Sequence, residues 1–215
     1  MLQRFFIKTP RWARTMFPDY TWRMPTTEKV VYLTFDDGPH PTITPWVLNQ
    51  LKQYNAKATF FCIGNNVVAN PETYQAIQDE GHTVGNHTFH HLNGWKTPAV
   101  VYLKDVARAR EVISSNLFRP PFGKITAKQA RGLQKEAGIA NAKVIMWDVL
   151  SADYDTSYSY QQCTDNVLKN VEAGSIIVFH DSEKAFPNLE KTLPVVLKHL
   201  KNEGYRFEKL VMDFL

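Results

Sequence analysis

The sequence predicts a single α/β domain built from parallel strands and crossover helices. Six short β-branched or aromatic runs each end abruptly in polar or Gly/Pro residues, and helix-compatible stretches alternate with them. Such alternation is typical of parallel sheets, in which ligand chemistry gathers at the carboxyl ends of the strands. The 215 residues suffice for one domain with a sizeable core. The pattern by itself leaves open whether the sheet closes into a barrel or stays open and doubly wound.

The expected elements alternate from residue 30 to residue 202. Strands are expected at 30–35, 58–63, 82–85, 117–118, 144–147 and 175–179. Helices are expected at 44–54, 71–80, 98–115, 126–137, 160–172 and 189–202. The chain contains no glycine-rich phosphate-binding motif, so a nucleotide cofactor is not expected.

Positive charge is concentrated in residues 1–27, which hold five basic side chains against one acidic side chain. The remaining residues carry 20 of each sign, so the chain has no basic face and nucleic-acid binding is not expected. The aromatic and arginine residues of this segment would suit a membrane surface, but its three prolines forbid one long amphipathic helix. We therefore expect residues 1–27 to pack on the domain formed by residues 28–215.

The start of the chain has only a three-residue apolar run before Lys8, which is far short of a secretory signal. No later stretch approaches the roughly 18 apolar residues of a membrane span. A cytoplasmic location is therefore expected. Cys62 and Cys163 lack metal-binding spacing and are expected to be reduced thiols in the core.

Two adjacent carboxylates, Asp36 and Asp37, follow the first predicted strand. Like charges this close resist joint ionisation unless a cation or hydrogen bonds compensate for them. A metal ion would do so. In the alternative interpretation, one aspartate caps the turn before Gly38 and the other is solvated.

Three of the seven histidines lie within five residues after the third predicted strand. His87 and His91 are four residues apart, a spacing that would place both imidazoles on one face of a helical turn, about 2.0–2.1 Å from a zinc ion. His90 would point elsewhere. A surface cluster without function is the alternative. Together with Asp37, the two histidines would supply three ligands, which leaves room for water and substrate as catalytic metal sites require.

Two further residues have the chemistry that such a site needs. Asp36 would take a proton from a water acidified by the metal. His180, at the end of the last predicted core strand, would protonate a departing amine or alkoxide. A lone histidine after an apolar strand is more often structural, so the role of His180 depends on the metal site.

Four motifs resemble, in order and spacing, those of the polysaccharide deacetylases, which are the NodB-homology group or carbohydrate esterase family 4. They are Thr34-Phe35-Asp36-Asp37-Gly38-Pro39, His87-Thr88-x-x-His91, Arg119-Pro120-Pro121-Phe122-Gly123 and the strand-end His180. The resemblance covers roughly residues 28–210. It implies a distorted (β/α)7 barrel, an acetylated saccharide as substrate, and a divalent metal that is usually zinc, with cobalt or other ions serving in some members.

The resemblance also implies a role for each matching residue. Asp36 corresponds to the base of the family and His180 to its general acid. Arg119 would orient Asp36, and the backbone N–H of Phe122 would donate to the oxyanion. The implied metal ligands are Asp37, His87 and His91. The implied substrate contacts are Pro121, Phe122 and Val178.

Two motifs depart from the pattern of the family. Its D-x-x-D-W motif appears as Leu150-Ser151-Ala152-Asp153-Tyr154. The carboxylate that braces Arg119 is therefore expected to be Asp153, or else Asp148. Val178 replaces the usual leucine before the catalytic histidine and would line the acetyl-methyl pocket with a smaller side chain.

These residues predict a hydrolase that removes acetyl groups from N-acetylated or O-acetylated saccharides, with metal-acidified water as nucleophile. Two alternatives stay open: a hydrolase of a non-sugar C–N amide bond in the same superfamily, and a carbohydrate-binding domain that has lost catalysis. Leu150 is the only hint of the latter. Exposed aromatic residues such as Trp95 would favour a sugar by stacking, although Trp95 would fit the core equally well.

Overall fold

The computed structural model describes residues 6–211. Seven parallel strands form a distorted (β/α)7 barrel in the order β5-β4-β3-β2-β1-β7-β6. They are β1 (Val30–Asp36), β2 (Ala58–Cys62), β3 (Thr83–Asn86), β4 (Leu117–Phe118), β5 (Lys143–Val144), β6 (Val149–Leu150) and β7 (Ile176–His180). A short strand β8 (Arg206–Phe207) pairs with the start of β1. The fold is thus the barrel that the resemblance implies, not an open doubly wound sheet.

The eight described helices are α1 (Arg11–Met16), α2 (Ile43–Gln53), α3 (Gly64–Ala69), α4 (Pro71–Asp79), α5 (Ala99–Arg110), α6 (Ala127–Lys135), α7 (Tyr160–Leu168) and α8 (Phe186–Asn202). Six of them match the predicted ones, whereas α1 and α3 were not predicted and no described helix separates β5 from β6. Two 3₁₀ turns, Gly94–Lys96 and Pro121–Gly123, lie in the loops after β3 and β4. Capping boxes at Thr126 and Ser159 start α6 and α7, because each hydroxyl accepts a backbone N–H that the first turn leaves unpaired.

Alternate residues of β1 face opposite sides of the sheet, as strand geometry requires. Leu33 and Phe35 pack in the apolar layer between the sheet and the helices. Thr34 and Asp36 are also buried, but both contact Arg119 on the inner side of the barrel. The apolar layer therefore supports a polar interior at the carboxyl end of β1.

The strand predicted at 144–147 is wrong, because β5 ends at Val144 and a separate strand, β6, begins at Val149. The carbonyls of Ile145 and Met146 accept hydrogen bonds from the Arg119 guanidinium at 3.2 and 3.0 Å. Backbone groups that bind a side chain in this way do not continue a regular ladder. The β5–β6 gap is therefore linked to the placement of Arg119.

The N-terminal segment runs along this gap. Lys8 pairs with Val149 in an antiparallel bridge, and Thr21 pairs with Ile145 in a parallel one. Within residues 6–211, the edges of β5 and β6 pair with this segment and not with each other. Residues 1–5 of the predicted segment lie outside the described residues. The segment thus occupies the place where a further barrel strand would stand.

The basic side chains of the segment bind acidic groups of the barrel. Lys8 Nζ lies 2.8 Å from Oδ2 of the fully buried Asp148, which also accepts the Ser175 hydroxyl at 2.6 Å. Arg14 lies 3.7 Å from Asp148, and Arg23 forms a 3.1 Å ion pair with Glu172. Three of the basic residues that cause the excess charge of this segment therefore pair with acidic residues of the domain.

Both cysteines, Cys62 and Cys163, are buried and unpaired, as predicted. Among the helices of residues 6–211, none combines the length and the apolar character needed to cross a bilayer.

Lys8→Ala is expected to lower the free energy of unfolding by about 2–3 kcal/mol, because it leaves the carboxylate of Asp148 buried without its closest counter-charge. Urea denaturation measures the change. Lys169→Ala is the matched control, since it removes a lysine from an exposed pair with Asp165 and should change stability by less than about 0.5 kcal/mol. Equal effects of the two substitutions would contradict a stabilising role for Lys8.

Candidate active site

The strand register gathers the predicted site residues at one end of the barrel. Asp36 is the last residue of β1 and lies beside His180, the last residue of β7. His87 directly follows β3, and Arg119 directly follows β4. Residues far apart in sequence therefore meet because the carboxyl ends of parallel strands share one edge.

Asp37, His87 and His91 form a compact cluster whose ligand atoms all lie within 4.8 Å of one another. Asp37 Oδ1 lies 3.2 Å from His91 Nε2 and 3.7 Å from His87 Nε2. This oxygen is buried, and within residues 6–211 it accepts no hydrogen bond. A buried acceptor left unpaired beside two imidazole nitrogens fits a divalent cation held by three protein ligands.

The protonation of the cluster also suits a cation. His87 Nδ1 lies 2.8 Å from the Arg119 carbonyl, which only accepts, so Nδ1 carries the hydrogen and Nε2 is left with its lone pair towards Asp37. Burial lowers the pKa of His87 to about 4 against the opposing effect of Asp36. Burial acts to raise the pKa of Asp37, but the neighbouring imidazoles of His91, His180 and His87 hold it well below its ordinary value. The site therefore offers the neutral imidazole of His87 and the ionised carboxylate of Asp37.

The prediction that a helical turn carries His87 and His91 is wrong. The chain after β3 is a loop in which Thr88 and His91 have left-handed backbone angles, φ 64° and 56°. Asp37 and Phe122 at the same site also have positive φ, 81° and 60°. Each such residue costs of order 1–3 kcal/mol unless the surroundings hold it. The imidazoles thus converge through irregular backbone and not through helical spacing.

A buried carboxylate from α5 holds this loop. Asp105 Oδ2 accepts the backbone N–H groups of Phe89 and His90 at 2.8 and 2.9 Å. Asp105 Oδ1 lies 2.5 Å from Nδ1 of His90. His90 therefore points away from the other two histidines, as predicted, and Asp105 stabilises the turn that presents His91.

Arg119 orients Asp36. Its guanidinium is fully buried, and Nη1 lies 2.7 Å from Asp36 Oδ1 and 2.7 Å from the Thr34 hydroxyl. The remaining donors reach backbone carbonyls of residues 145 and 146, and the Phe61 ring lies 4.0 Å from the guanidinium carbon. All three nitrogens of the guanidinium are thus hydrogen-bonded inside the barrel, which offsets the desolvation of the charged pair.

The prediction that Asp153 or Asp148 braces Arg119 is wrong. Asp148 accepts hydrogen bonds from Lys8 and Ser175. Asp153 instead accepts the backbone N–H of His180 at 2.9 Å and lies 2.8 Å from its ring Nδ1. The other acceptors of Arg119 are neutral oxygen atoms, and among residues 6–211 Asp36 is the carboxylate that pairs with it.

The environment of His180 favours the protonated imidazole at neutral pH. Burial acts to lower its pKa, but the charge and hydrogen bond of Asp153, helped by Asp37 and Asp36, raise the pKa to about 9. Because Asp153 holds Nδ1, the free Nε2 carries the proton that can be given away. The Tyr154 ring packs edge-on against the imidazole at 4.7 Å. The His180–Asp153 pair has the chemistry of a general acid in a hydrolytic site.

The predicted substrate contacts border the same site. The ring of Phe122 is 58% exposed and lies 4.6 Å from the His91 ring. Within residues 6–211, the Phe122 N–H donates to no protein acceptor. Pro121 is buried, as is Val178, which pairs in register with Leu150 and Thr34. An unused N–H beside the metal cluster is the feature that an oxyanion donor needs.

Two supporting carboxylates, Asp105 and Asp181, were not predicted from the sequence. Asp181 Oδ1 accepts the Gly38 N–H at 3.0 Å and Oδ2 accepts the Thr44 hydroxyl, while burial raises the pKa of Asp181 to about 7. A Cβ at position 38 would lie 2.1 Å from Oδ2, so only glycine fits there. Two features of the sequence could have indicated them. Asp105 lies on the apolar face of a predicted helix, and Asp181 directly follows His180.

The site has the parts of a metal-dependent hydrolase: a three-ligand cluster, an oriented carboxylate, a proton donor and a free backbone donor. The model of the family described as polysaccharide deacetylase matches residues 23–142, more than half of the chain. The chain belongs to the polysaccharide deacetylase family, which confirms the resemblance seen in its motifs. Members of this family depend on a divalent metal.

Two relatives illustrate the similarity in sequence. A peptidoglycan-N-acetylglucosamine deacetylase of Bacillus cereus is 36% identical over 193 residues, which cover 87% of this chain and 89% of the relative. A chitooligosaccharide deacetylase of Azorhizobium caulinodans is 30% identical over 166 residues, with 74% and 77% of the two chains covered.

Solved structures show the same fold. The crystal structure of the Bc1960 peptidoglycan N-acetylglucosamine deacetylase, in complex with 4-naphthalen-1-yl-N-oxidanyl-benzamide, superposes with a TM-score of 0.80 at 31% identity and covers 94% of this chain and 95% of that chain. A family 4 carbohydrate esterase from Streptomyces lividans in complex with acetate has a TM-score of 0.75 at 25% identity, with 86% and 95% covered.

Asp105→Asn is expected to weaken metal binding by roughly ten-fold, because it removes the charge that holds the loop presenting His91. Competition of the metal-loaded protein with a chromogenic chelator measures the dissociation constant. Asp165→Asn, at an exposed position on α7, is the control and should leave the constant unchanged. Unaltered affinity in Asp105→Asn would show that the loop holds its shape without this carboxylate.

Proposed function

We propose that this protein is a divalent-metal-dependent deacetylase that removes acetyl groups from N-acetylglucosamine residues of peptidoglycan or a similar glycan. The observation that carries the proposal is the placement of the Arg119-bound carboxylate of Asp36 beside the cluster of Asp37, His87 and His91. The His180–Asp153 pair completes the site. The names of the relatives supply the substrate class, since they act on peptidoglycan or chitooligosaccharides.

Asp37, His87 and His91 are the residues that would hold the metal. Two imidazole nitrogens and one carboxylate oxygen suit zinc, and cobalt fits the same donors. When bound, the ion supplies Lewis-acid polarisation of the acetyl carbonyl and of the attacking water. The fixed Nε2 of His87 and the unpaired Oδ1 of Asp37 support this assignment.

Asp36 is the proposed base. Arg119 occupies its Oδ1, so Oδ2 is available to take the proton of the attacking water. Arg119 and Thr34 together fix the orientation of the carboxylate, which limits the reorganisation needed during the reaction. The proposed role of Arg119 is therefore to position Asp36 and not to contact substrate.

The backbone of Phe122 and the side chain of His180 act on the two ends of the breaking bond. The Phe122 N–H is proposed to donate to the oxygen of the acetyl carbonyl as negative charge develops on it. His180 donates its Nε2 proton to the departing amine nitrogen, and Asp153 stabilises the imidazolium before the transfer. Pro121 and Val178 are proposed to border the acetyl methyl group.

The two alternative functions receive less support. A binding domain without catalysis would not need the base, the arginine, the three-residue cluster and the acid, all of which are in place. Leu150 replaces a carboxylate of the family pattern, yet each nitrogen of the Arg119 guanidinium is hydrogen-bonded without it. A non-sugar amide is disfavoured by the saccharide substrates that the names of the relatives give.

Acetate release from chito-oligosaccharides and peptidoglycan fragments tests the proposal. The metal-stripped protein should be inactive, and added zinc or cobalt should restore release. Asp36→Asn should lower kcat by at least about 100-fold while one equivalent of metal stays bound, whereas Asp37→Ala should lose the metal. Activity on ureides or cyclic imides without acetate release would favour the non-sugar alternative, and bound metal without any turnover would favour the binding domain.

Asp153→Asn tests the role of His180 through the pH profile. The protonated form of His180 is the active acid, so activity should fall as the pH rises through its pKa. Removal of the negative charge of Asp153 lowers that pKa, and the alkaline limb of the kcat profile should therefore move to lower pH. Ser151→Ala, which removes a hydroxyl that donates to the same carboxylate, serves as the control with a smaller shift. An unmoved alkaline limb in Asp153→Asn would assign that limb to another group.

A further inference from the structure

Trp95 is an exposed aromatic residue on the rim of the active site. It lies in the 3₁₀ turn Gly94–Lys96, four residues after His91, and 67% of its surface is exposed. Its backbone N–H donates to the side chain of Asn93 at 3.1 Å, and its ring Nε1 donates to the Ile125 carbonyl at 3.3 Å. The ring is therefore held in place while much of its surface faces solvent.

The loop that carries Trp95 is locked to the loop that follows Phe122. The buried Gln129 donates to the carbonyls of Gly94 and Thr97 at 2.9 and 3.0 Å. A Cβ at position 94 would lie 2.3 Å from the Lys124 carbonyl, so the two backbones are in close contact. A rigid loop that presents a large apolar ring to water is preorganised for a partner, because little entropy is lost on binding.

The ammonium group of Lys124 lies close to the Trp95 ring. Lys124 Nζ lies 5.3 Å from the centre of the Trp95 ring, and within residues 6–211 Lys124 forms no ion pair. Lys124 follows Phe122 by two residues, so the two Cα atoms are at most about 7 Å apart. Because the Phe122 ring contacts His91, the backbone that leads to Lys124 starts beside the cluster of Asp37, His87 and His91.

We propose that Trp95 and Lys124 form an outer saccharide subsite. Trp95 stacks on the apolar face of a sugar ring that neighbours the acetylated residue, and Lys124 pairs with a carboxylate on that part of the strand. This subsite binds glycans with acidic substituents, such as peptidoglycan strands, more tightly than neutral glycans. This inference rests on the proposed function, since it assigns the substrate class of the same site.

Trp95→Ala tests the stacking. Acetate release should fall roughly three- to ten-fold in kcat/KM on N-acetylglucosamine oligomers of four or more units, chiefly through KM. Release from the monomer should be unchanged, because the monomer does not reach the outer subsite. Trp95→Phe should recover part of the loss. Trp12→Ala is the matched control, since Trp12 is 56% exposed on α1 in the N-terminal segment.

Lys124→Gln tests the charge. It should weaken binding of muramic-acid-containing fragments roughly three- to ten-fold at low salt and leave neutral oligomers of the same length unaffected. Lys124→Arg should retain the preference for the acidic fragments. Lys128→Gln, on the exposed face of α6, should show no change. Calorimetric titration of the metal-stripped protein gives the dissociation constants without turnover.

Two results would overturn the subsite. One is an equal loss for monomer and oligomer in Trp95→Ala, which would indicate a structural role. The other is no loss for any substrate or fragment in either variant. Failure of the proposed function looks different: the wild-type protein would release no acetate from any saccharide, while titration would still report whether Trp95 and Lys124 bind the acidic strand.

Discussion

The buried guanidinium of Arg119 is the contact on which the interior of the barrel depends. It joins β1, through Thr34 and Asp36, to the backbone that separates β5 from β6. A charge at this depth is tolerated only when its donors are paired, so the surrounding backbone must leave the regular ladder to reach it. The interrupted strand, the oriented carboxylate and the polar centre of the barrel are consequences of the same requirement.

Buried carboxylates maintain the irregular backbone of the site. Asp105 holds the loop of the two histidines, and Asp181 holds the turn after Asp37. Residues with left-handed angles cluster there, at Asp37, Thr88, His91 and Phe122. Their conformational cost is offset by hydrogen bonds from neighbouring helices and strands. The geometry that suits a metal and an oxyanion is therefore imposed by the surrounding fold.

The N-terminal segment gives the barrel a second point of closure. It pairs with the free edges of β5 and β6 and supplies Lys8 to the buried Asp148. Its charge and aromatic content alone were compatible with a membrane surface or with packing, and the contacts of residues 6–27 place it against the barrel. Trp95, in the loop after β3, differs from that segment because its ring is held rigidly but left exposed.

The sequence by itself determined the α/β alternation and the candidate residues Asp36, Asp37, His87, His91 and His180, because strand periodicity and the chemistry of metal and acid–base sites restrict residue types at strand ends. Arg119 was added by the resemblance of the motifs to those of the family. Only the tertiary structure decided which groups these residues contact. Asp153 supports His180 and not Arg119, and a loop rather than a helical turn presents His87 and His91. Spacing along the chain cannot reveal such partners, because they come from elements distant in sequence whose approach depends on packing and on the pairing of every buried charge.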